Sequence, residues 1–409
     1  MAGVSVVTLG CKLNQAEGEE LCRRLESAGY VVGGEKARAY IVNTCTVTHM
    51  ADGKARQLLR RVRRENPQAL VVATGCYAQR DPGELHWLAH LVVPQEEKEN
   101  LPELLPGIVP PSGRGPAQPY ARTRALVKVQ YGCNLHCSYC VVPAVRGRER
   151  SLSPEAIIEE IKAREDEGYR EVVLTGTRVG AYRWNGTSLP GLLAQVLGKT
   201  TISRVRLSSL QVQEIGPELL SLLRDPRLCP HLHLPLQSGS DRVLEAMGRP
   251  YASSDFASRV DALRREVAGL AITTDIMVGF PAEGEKEFEE SLALCRELGF
   301  ARVHVFPYSP RPGTRAAALP QLPEDTRRDR VRQMLRLAGE CFEAYRERLL
   351  GKEMPVLFEK RQRKGAWAGH TPDYLRVFAT SQEPLANQVR RVRLVGLHPQ
   401  GLWGELQPT

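Results

Sequence analysis

The sequence predicts an α/β protein in three successive pieces: an N-terminal parallel α/β unit over residues 1–110, a curved parallel sheet or partial barrel over 120–350, and a small β-barrel over 351–409. Three observations predict it. Continuous apolar runs alternate with helical patterns from the start of the chain, as buried parallel strands joined by helices require. That beat stops in a Pro- and Gly-dense stretch, residues 105–116, which reads as a linker, and resumes near Ala125. After Gly351 it gives way to short alternating segments, too few for another α/β unit.

In the first piece, runs 4–9, 40–42 and 70–73 are the strands, and 16–27 and 51–64 the helices. Cys11, Cys45 and Cys76 each fall just past the carboxyl end of one strand, where open α/β sheets bind ligands. Three cysteines far apart in sequence thus converge, as metal ligands or as structural thiols of a core. Helix 51–64 carries Lys54, Arg56, Arg60, Arg61, Arg63 and Arg64 around an apolar stripe of Leu58, Leu59 and Val62. A solvated face and an RNA-facing surface both fit it.

In the second piece, strands fit 126–129, 171–175, 204–207, 231–235, 271–278 and 302–306. Ser153 followed by Pro154 starts a helix and Gly168 ends it. Further helices fit 217–224, 254–266 and 285–298, with a charged amphipathic one over 323–350. After the first strand stand Cys133, Cys137 and Cys140, spaced C-x3-C-x2-C. Thiolates favour iron–sulfur clusters and zinc. Three ligands leave one metal corner open, as catalytic metal sites do. Gly176, Ser208, Ser209, Gln211, Gln237, Ser238, Gly279 and Phe280 end successive strands, where parallel barrels place function; ordinary loop polarity is the alternative. His233 reads as a satisfied core histidine. Cys22, Cys229, Cys295 and Cys341 have no partner spacing and read as structural thiols. In the last piece, strands fit 354–358, 366–369, 374–378, 388–397 and 402–406; the basic runs 360–364 and 390–393 can meet phosphate or be solvated strand faces.

Ten cysteines in 409 residues are too sparse for a disulfide scaffold. The start of the chain lacks a secretory pattern, and no 18-residue apolar stretch exists, so the expectation is a cytoplasmic protein without a membrane partner. Basic residues number 56 against 47 acidic, net +9, mostly through arginine. This suits phosphate and nucleic acid, or simply an arginine-rich source.

With Tyr139 before its last cysteine, the C-x3-C-x2-C loop resembles that of the radical S-adenosylmethionine enzymes. Both cysteine triplets, with segments 206–210, 231–240 and 275–281, resemble the methylthiotransferase family over nearly the whole chain. The resemblance implies a (β/α)6 radical core and a terminal RNA-binding barrel of the TRAM kind. It implies two [4Fe–4S] clusters: one on Cys133, Cys137 and Cys140, which cleaves S-adenosylmethionine to a 5′-deoxyadenosyl radical, and one on Cys11, Cys45 and Cys76, which carries the sulfur to be inserted. Tyr139, Gly176, Ser208, Gln237, Gly279 and Phe280 would bind S-adenosylmethionine. A sulfur donor, a one-electron reductant and a tRNA anticodon stem-loop are the implied partners. The Thr44–Thr48 and Leu207–Leu210 contexts look most like the threonylcarbamoyladenosine branch. Rivals are the isopentenyladenosine branch, the branch acting on a ribosomal-protein aspartate, and a non-catalytic iron–sulfur or zinc protein that binds RNA. Ala282-Glu283-Gly284 departs from the family's usual Gly-Glu-Thr and leaves that loop's geometry open.

Overall fold

The computed structural model describes residues 3–33, 37–105, 123–362 and 365–408; most of the stretch read as a linker lies outside them. The described residues form two compact units. One holds residues up to 105 together with 131–150 and 309–317; the other holds 123–130, 151–308 and 318–408.

The first unit is built on four parallel strands in sequential order: β1 (Gly3–Thr8), β2 (Ala37–Thr44), β3 (Leu70–Gly75) and β4 (Leu91–Val92). Helix α1 (Lys12–Ser27) buries Leu21 and Leu25 with Ala39 and Ile41 of β2, whereas α2 (His49–Glu65) buries Leu58, Leu59 and Val62 with Tyr40 and Val42. Alternate residues of a strand face opposite ways, so the sheet is covered on both faces. That is why its strands read as unbroken apolar runs. Helix α3 (Cys76–Arg80) follows β3 without a gap. Strand β4 was not legible, because two residues carry no period. Helix α4 (Val142–Arg146) follows the second cysteine triplet within this unit.

The second unit carries β5 (Arg124–Lys128), β6 (Glu171–Thr175) and β7 (Arg204–Leu207) as one parallel sheet, and β8 (His231–His233), β9 (Ala271–Val278) and β10 (Arg302–Pro307) as another. A parallel bridge between Ser209 and His233 joins them, so six strands run side by side in chain order as a partial barrel. Helix α5 (Pro154–Asp166) starts where Ser153 accepts a hydrogen bond from Ala156 N at 3.2 Å. Helix α6 (Leu189–Lys199) is absent from the sequence reading: Pro190, Gly191 and Gly198 mask it. Proline is harmless in a first turn, whose N–H groups have no helical partner. Ile157, Ile161, Leu192, Leu193 and Val205 lie in one core. No helix among the described residues is long and apolar enough to cross a membrane.

The end of the chain closes a five-stranded barrel from β11 (Glu353–Arg361), β12 (Trp367–His370), β13 (Arg376–Ala379), β14 (Val389–His398) and β15 (Gly401–Leu406), in the order β11-β12-β13-β15-β14. Tyr374, expected in a strand, instead occupies a turn at φ +71° before β13. Thr371 organises that turn by accepting from Leu375 N at 2.9 Å. Arg206 of β7, fully buried, donates to Glu171 of β6 at 2.7 Å and to the carbonyls of Pro372 and Thr371 at 2.7 and 3.3 Å. Arg204 reaches the carbonyls of His370 and Pro355 at 3.1 and 2.8 Å. Strand β7 of the partial barrel therefore holds the small barrel by charge-assisted bonds to its backbone.

Candidate metal centres and strand-end site

Cys11 stands exposed at the start of α1, while Cys45 and Cys76 are buried past β2 and β3. Gly10, at φ +104°, turns the chain over Cys45: a Cβ there would lie 2.8 Å from the Cys45 sulfur. Only glycine tolerates both constraints. Asn14 Nδ2 donates to Leu9 O at 2.5 Å and to Thr44 O at 3.2 Å, and Asn43 Nδ2 donates back to Asn14 O at 2.9 Å. Two asparagines thus fix the turns that carry Cys11 and Cys45. Burial pushes the Cys45 thiol up to about 12 and raises Cys76 too; the charges of the neighbouring thiols add to this, and Arg146 opposes it. Such thiols become thiolates by exchanging a proton for a metal. Among the described residues no three His, Cys, Asp or Glu side chains are gathered at metal-holding distance. The fit of a cluster here rests on the donor set, three neighbouring sulfurs, and on the positive charge beside them.

That charge was not legible in the sequence. Arg146 donates to both Glu17 oxygens at 2.6 and 3.2 Å and to Asn14 Oδ1 at 3.3 Å. Lys98 donates to Glu17 at 2.7 Å and to Asn43 Oδ1 at 3.2 Å. Burial would raise the Glu17 carboxyl, but the two cations outweigh it and hold Glu17 well below the usual carboxylate range.

The second triplet lies in a loop opened by Gly132, at φ +74°, whose absent Cβ would come 2.0 Å from Arg148 O. Cys133 N donates to Gly147 O at 3.1 Å, Leu135 N to the Cys133 sulfur at 3.4 Å, and Cys140 N to Cys137 O at 3.1 Å. Tyr139 is half-buried in this loop. The 309–317 segment clamps the loop: Ala316 N donates to Ser138 O at 2.8 Å and Arg315 to His136 O at 2.9 Å. Arg311 of the same segment reaches Asp52 at 2.6 Å and Thr46 at 2.9 Å, next to Cys45. Val141 and Val145 pack on Cys76. The first unit thereby brings both triplets' supporting residues into one network. The thiol set of this loop fits a cluster with three protein ligands.

In the second unit the strand ends hold polar groups in three different states. The hydroxyls of Thr175, the last residue of β6, and of Thr177 and Ser208, past β6 and β7, are buried without a hydrogen-bond partner among the described residues. Unmatched buried hydroxyls are costly, so they fit a polar small molecule. Gly176 lets the backbone pass Gln130, where a Cβ would meet its carbonyl at 2.8 Å. Gln237 sits at φ +70°, a strained position for a side-chain residue. Gly279, at φ +75°, donates to Glu283 at 2.8 Å, and Arg330 holds the same carboxylate at 2.8 Å. The departing Ala282-Glu283-Gly284 loop is therefore pinned by its one retained residue. Ser238 and Phe280 are committed to packing: Ser238 pairs with Ser291 at 3.2 Å, and Phe280 is fully buried against Tyr308, ring centroids 5.4 Å apart. His233 lies between Thr273 at 3.0 Å and Asp275 at 3.2 Å.

Residues 127–295 match the Radical SAM superfamily, and residues 3–93 match a group described as Uncharacterized protein family UPF0004. The chain is 38% identical to Threonylcarbamoyladenosine tRNA methylthiotransferase MtaB of Thermotoga maritima, with 98% of this chain and 96% of that protein covered. It is 34% identical to tRNA-2-methylthio-N(6)-dimethylallyladenosine synthase of Moorella thermoacetica, covering 98% and 97%. Its fold is similar to the radical S-adenosylmethionine methyltransferase TsrM from Kitasatospora setae, with TM-score 0.57, 15% identity, and 78% and 77% of the two chains covered. The chain belongs to the radical S-adenosylmethionine methylthiotransferase family.

Proposed function

We propose that this protein is a tRNA methylthiotransferase that inserts sulfur and a methyl group at C2 of N6-threonylcarbamoyladenosine beside the anticodon. The observation that carries the reading is the 38% identity to the Thermotoga enzyme over essentially the full length of both chains. The carbon–hydrogen bond at C2 is aromatic, and no side-chain acid or base can ionise it. The clusters and S-adenosylmethionine, when bound, supply the one-electron chemistry, the sulfur and the methyl group. The chain's part is to hold and orient. Cys133, Cys137 and Cys140 would hold the radical cluster, and Cys11, Cys45 and Cys76 the sulfur-carrying one. Thr175, Thr177 and Ser208 would offer their hydroxyls to S-adenosylmethionine, with Gly176, Gln237 and Gly279 shaping its backbone cradle. Tyr139 would flank the radical cluster; Phe280 would support that cradle from behind.

A base inside an anticodon loop must be splayed out before chemistry reaches it. The terminal barrel would grip the RNA. Arg391 and Arg393 are exposed on β14, and Trp403, His398 and Phe378 form a ring cluster on the barrel, with Trp403 38% exposed. Exposed cations suit phosphate, and aromatic faces suit unpaired bases. Such a substrate implies a cytoplasmic protein, served by a sulfur donor and a one-electron reductant.

The chain is also 34% identical to the Moorella enzyme, so the dimethylallyladenosine branch is the outcome to separate from this reading. Mass spectrometry of tRNA nucleosides decides between them, using a host that lacks its own methylthiotransferases, with and without this gene. A new methylthio form of threonylcarbamoyladenosine is the expected result. A methylthio form of the dimethylallyl nucleoside would move the branch, and no new nucleoside would overturn both.

A further inference from the structure

We propose that Arg146 is a positioning residue that neutralises the charge of a cluster on Cys11, Cys45 and Cys76 and thereby sets its reduction potential. This rests on the ligand reading of those cysteines. Arg146, Glu17 and Lys98 form an almost closed group, with side chains 4%, 7% and 5% exposed. Two basic groups share one carboxylate, and burial, with the charge of Arg146 adding to it, lowers the proton affinity of Lys98; with Lys98 protonated the group holds one positive charge without a counter-charge. An unbalanced charge buried in protein is strongly unfavourable. The missing anion stands next door. Val145, the residue before Arg146, packs on Cys76, and Arg146 is an electrostatic partner of Cys11 and Cys76. Three thiolates on a cubane core leave the cluster with a net negative charge, the opposite of what the group carries.

Arginine suits the place by shape as well as charge. Its fork spans both Glu17 oxygens and Asn14 at once, and Asn14 also holds the Cys11 and Cys45 turns. Reduction adds negative charge to a cluster, and a fixed neighbouring cation favours it. Cluster potentials respond to net charge and hydrogen bonding of this kind.

The test uses the full chain with Cys133, Cys137 and Cys140 all changed to Ala, reconstituted anaerobically with iron and sulfide and titrated potentiometrically with electron paramagnetic resonance as the readout. Arg146→Gln should lower the equilibrium constant for one-electron reduction about tenfold, which is about 59 mV. Glu17→Gln should raise it by a similar factor, and Arg146→Lys should stay within about threefold of the parent. Damage to packing cannot move two neighbouring substitutions in opposite directions. Equal iron content with unchanged potentials, or shifts of one sign in both Gln variants, overturns the inference while leaving the ligands in place. Should Arg146→Gln hold no cluster, Glu17→Gln decides alone, and no upward shift there overturns it. A parent that binds no iron defeats the ligand reading itself, and this inference with it.

Discussion

Gly132 shows how narrowly single residues are specified around the Cys133–Cys140 loop. Its φ is +74°, and any Cβ would drive into the Arg148 carbonyl 2.0 Å away. Gly132→Ala should therefore cost about 2 kcal/mol or more through backbone strain. Thermal unfolding would fall by several degrees, and the iron bound after reconstitution would drop; an unchanged melting temperature with full iron loading would remove the argument. The proposed ligands make a sharper case. Cys137→Ala should abolish reductive cleavage of S-adenosylmethionine, read as 5′-deoxyadenosine release by chromatography. Cys76→Ala should keep that cleavage and lose the methylthio nucleoside. Methylthio product from the Cys76 variant would unseat the sulfur-carrying role. The six candidate cysteines could be singled out in the sequence because their spacing and strand-end positions are local patterns. Arg146, Glu17 and Lys98 were not, since their contacts join residues 81 and 129 positions apart and each alone reads as surface charge.

At the scale of elements, the β6–β7 pair and the Thr371–Tyr374 turn form the joint between the partial barrel and the small barrel. Glu171 and Arg206 are both fully buried, and the ring of Tyr374 lies 4.5 Å from the Arg206 guanidinium carbon. Arg206→Met would leave Glu171 with a weaker partner in Arg204, 3.8 Å away, and should cost roughly 3–5 kcal/mol in urea unfolding. A cost below about 1 kcal/mol would mean the charge is solvated after all. The joint also titrates. Glu359 accepts from His370 at 3.0 Å and pairs with Arg124 at 3.0 Å. Burial lowers the affinity of His370 for a proton, against the pull of Glu359. Burial would raise Glu359, but His370 and Arg124 hold it down at about 2. A lowered histidine is protonated more readily in the unfolded chain, so its effect appears as pH falls below the ordinary histidine range. The lowered carboxylate stabilises the fold above its ordinary value, 4.5, and that contribution of about 1–2 kcal/mol is lost as pH falls toward 2. Both losses lie on the acid side. Melting temperature should fall between pH 7 and 5, and His370→Gln should flatten that slope; parallel slopes in the two proteins would refute the histidine's part. Strand positions in this region were legible from periodicity. The Tyr374 turn was not, because a tertiary contact to arginines of another element overrides an aromatic residue's preference for strands.

For the whole molecule, the six strands followed by a small closed barrel were readable because each strand keeps its own apolar run. The regrouping into two compact units was not: residues 131–150 and 309–317 join the first unit through contacts that no local pattern announces, such as Arg311 on Asp52 at 2.6 Å, 259 residues away. The same interlocking changes how the RNA grip proposed for the terminal barrel must be tested. Cutting the chain after Gly351 would remove Pro355, His370, Thr371 and Pro372, the backbone acceptors of Arg204 and Arg206, and would bare two buried guanidiniums in the partial barrel. Lost tRNA binding in such a truncation would report unfolding as readily as lost contact. Surface charge reversal avoids this. Arg391 and Arg393 are exposed on β14, and neither reaches the core, since Val392 and Leu394 fill that face of the strand. If they meet phosphate, the double variant Arg391→Glu, Arg393→Glu should weaken tRNA binding, and the slope of log affinity against log salt should shallow by about 1–2, at roughly 0.7–0.9 per phosphate lost. Cleavage of S-adenosylmethionine without RNA should be unchanged in the same preparation, which certifies the fold. An unchanged slope with native cleavage would place the phosphate contacts elsewhere on the protein, with the arginine-rich face of α2 next to be tested.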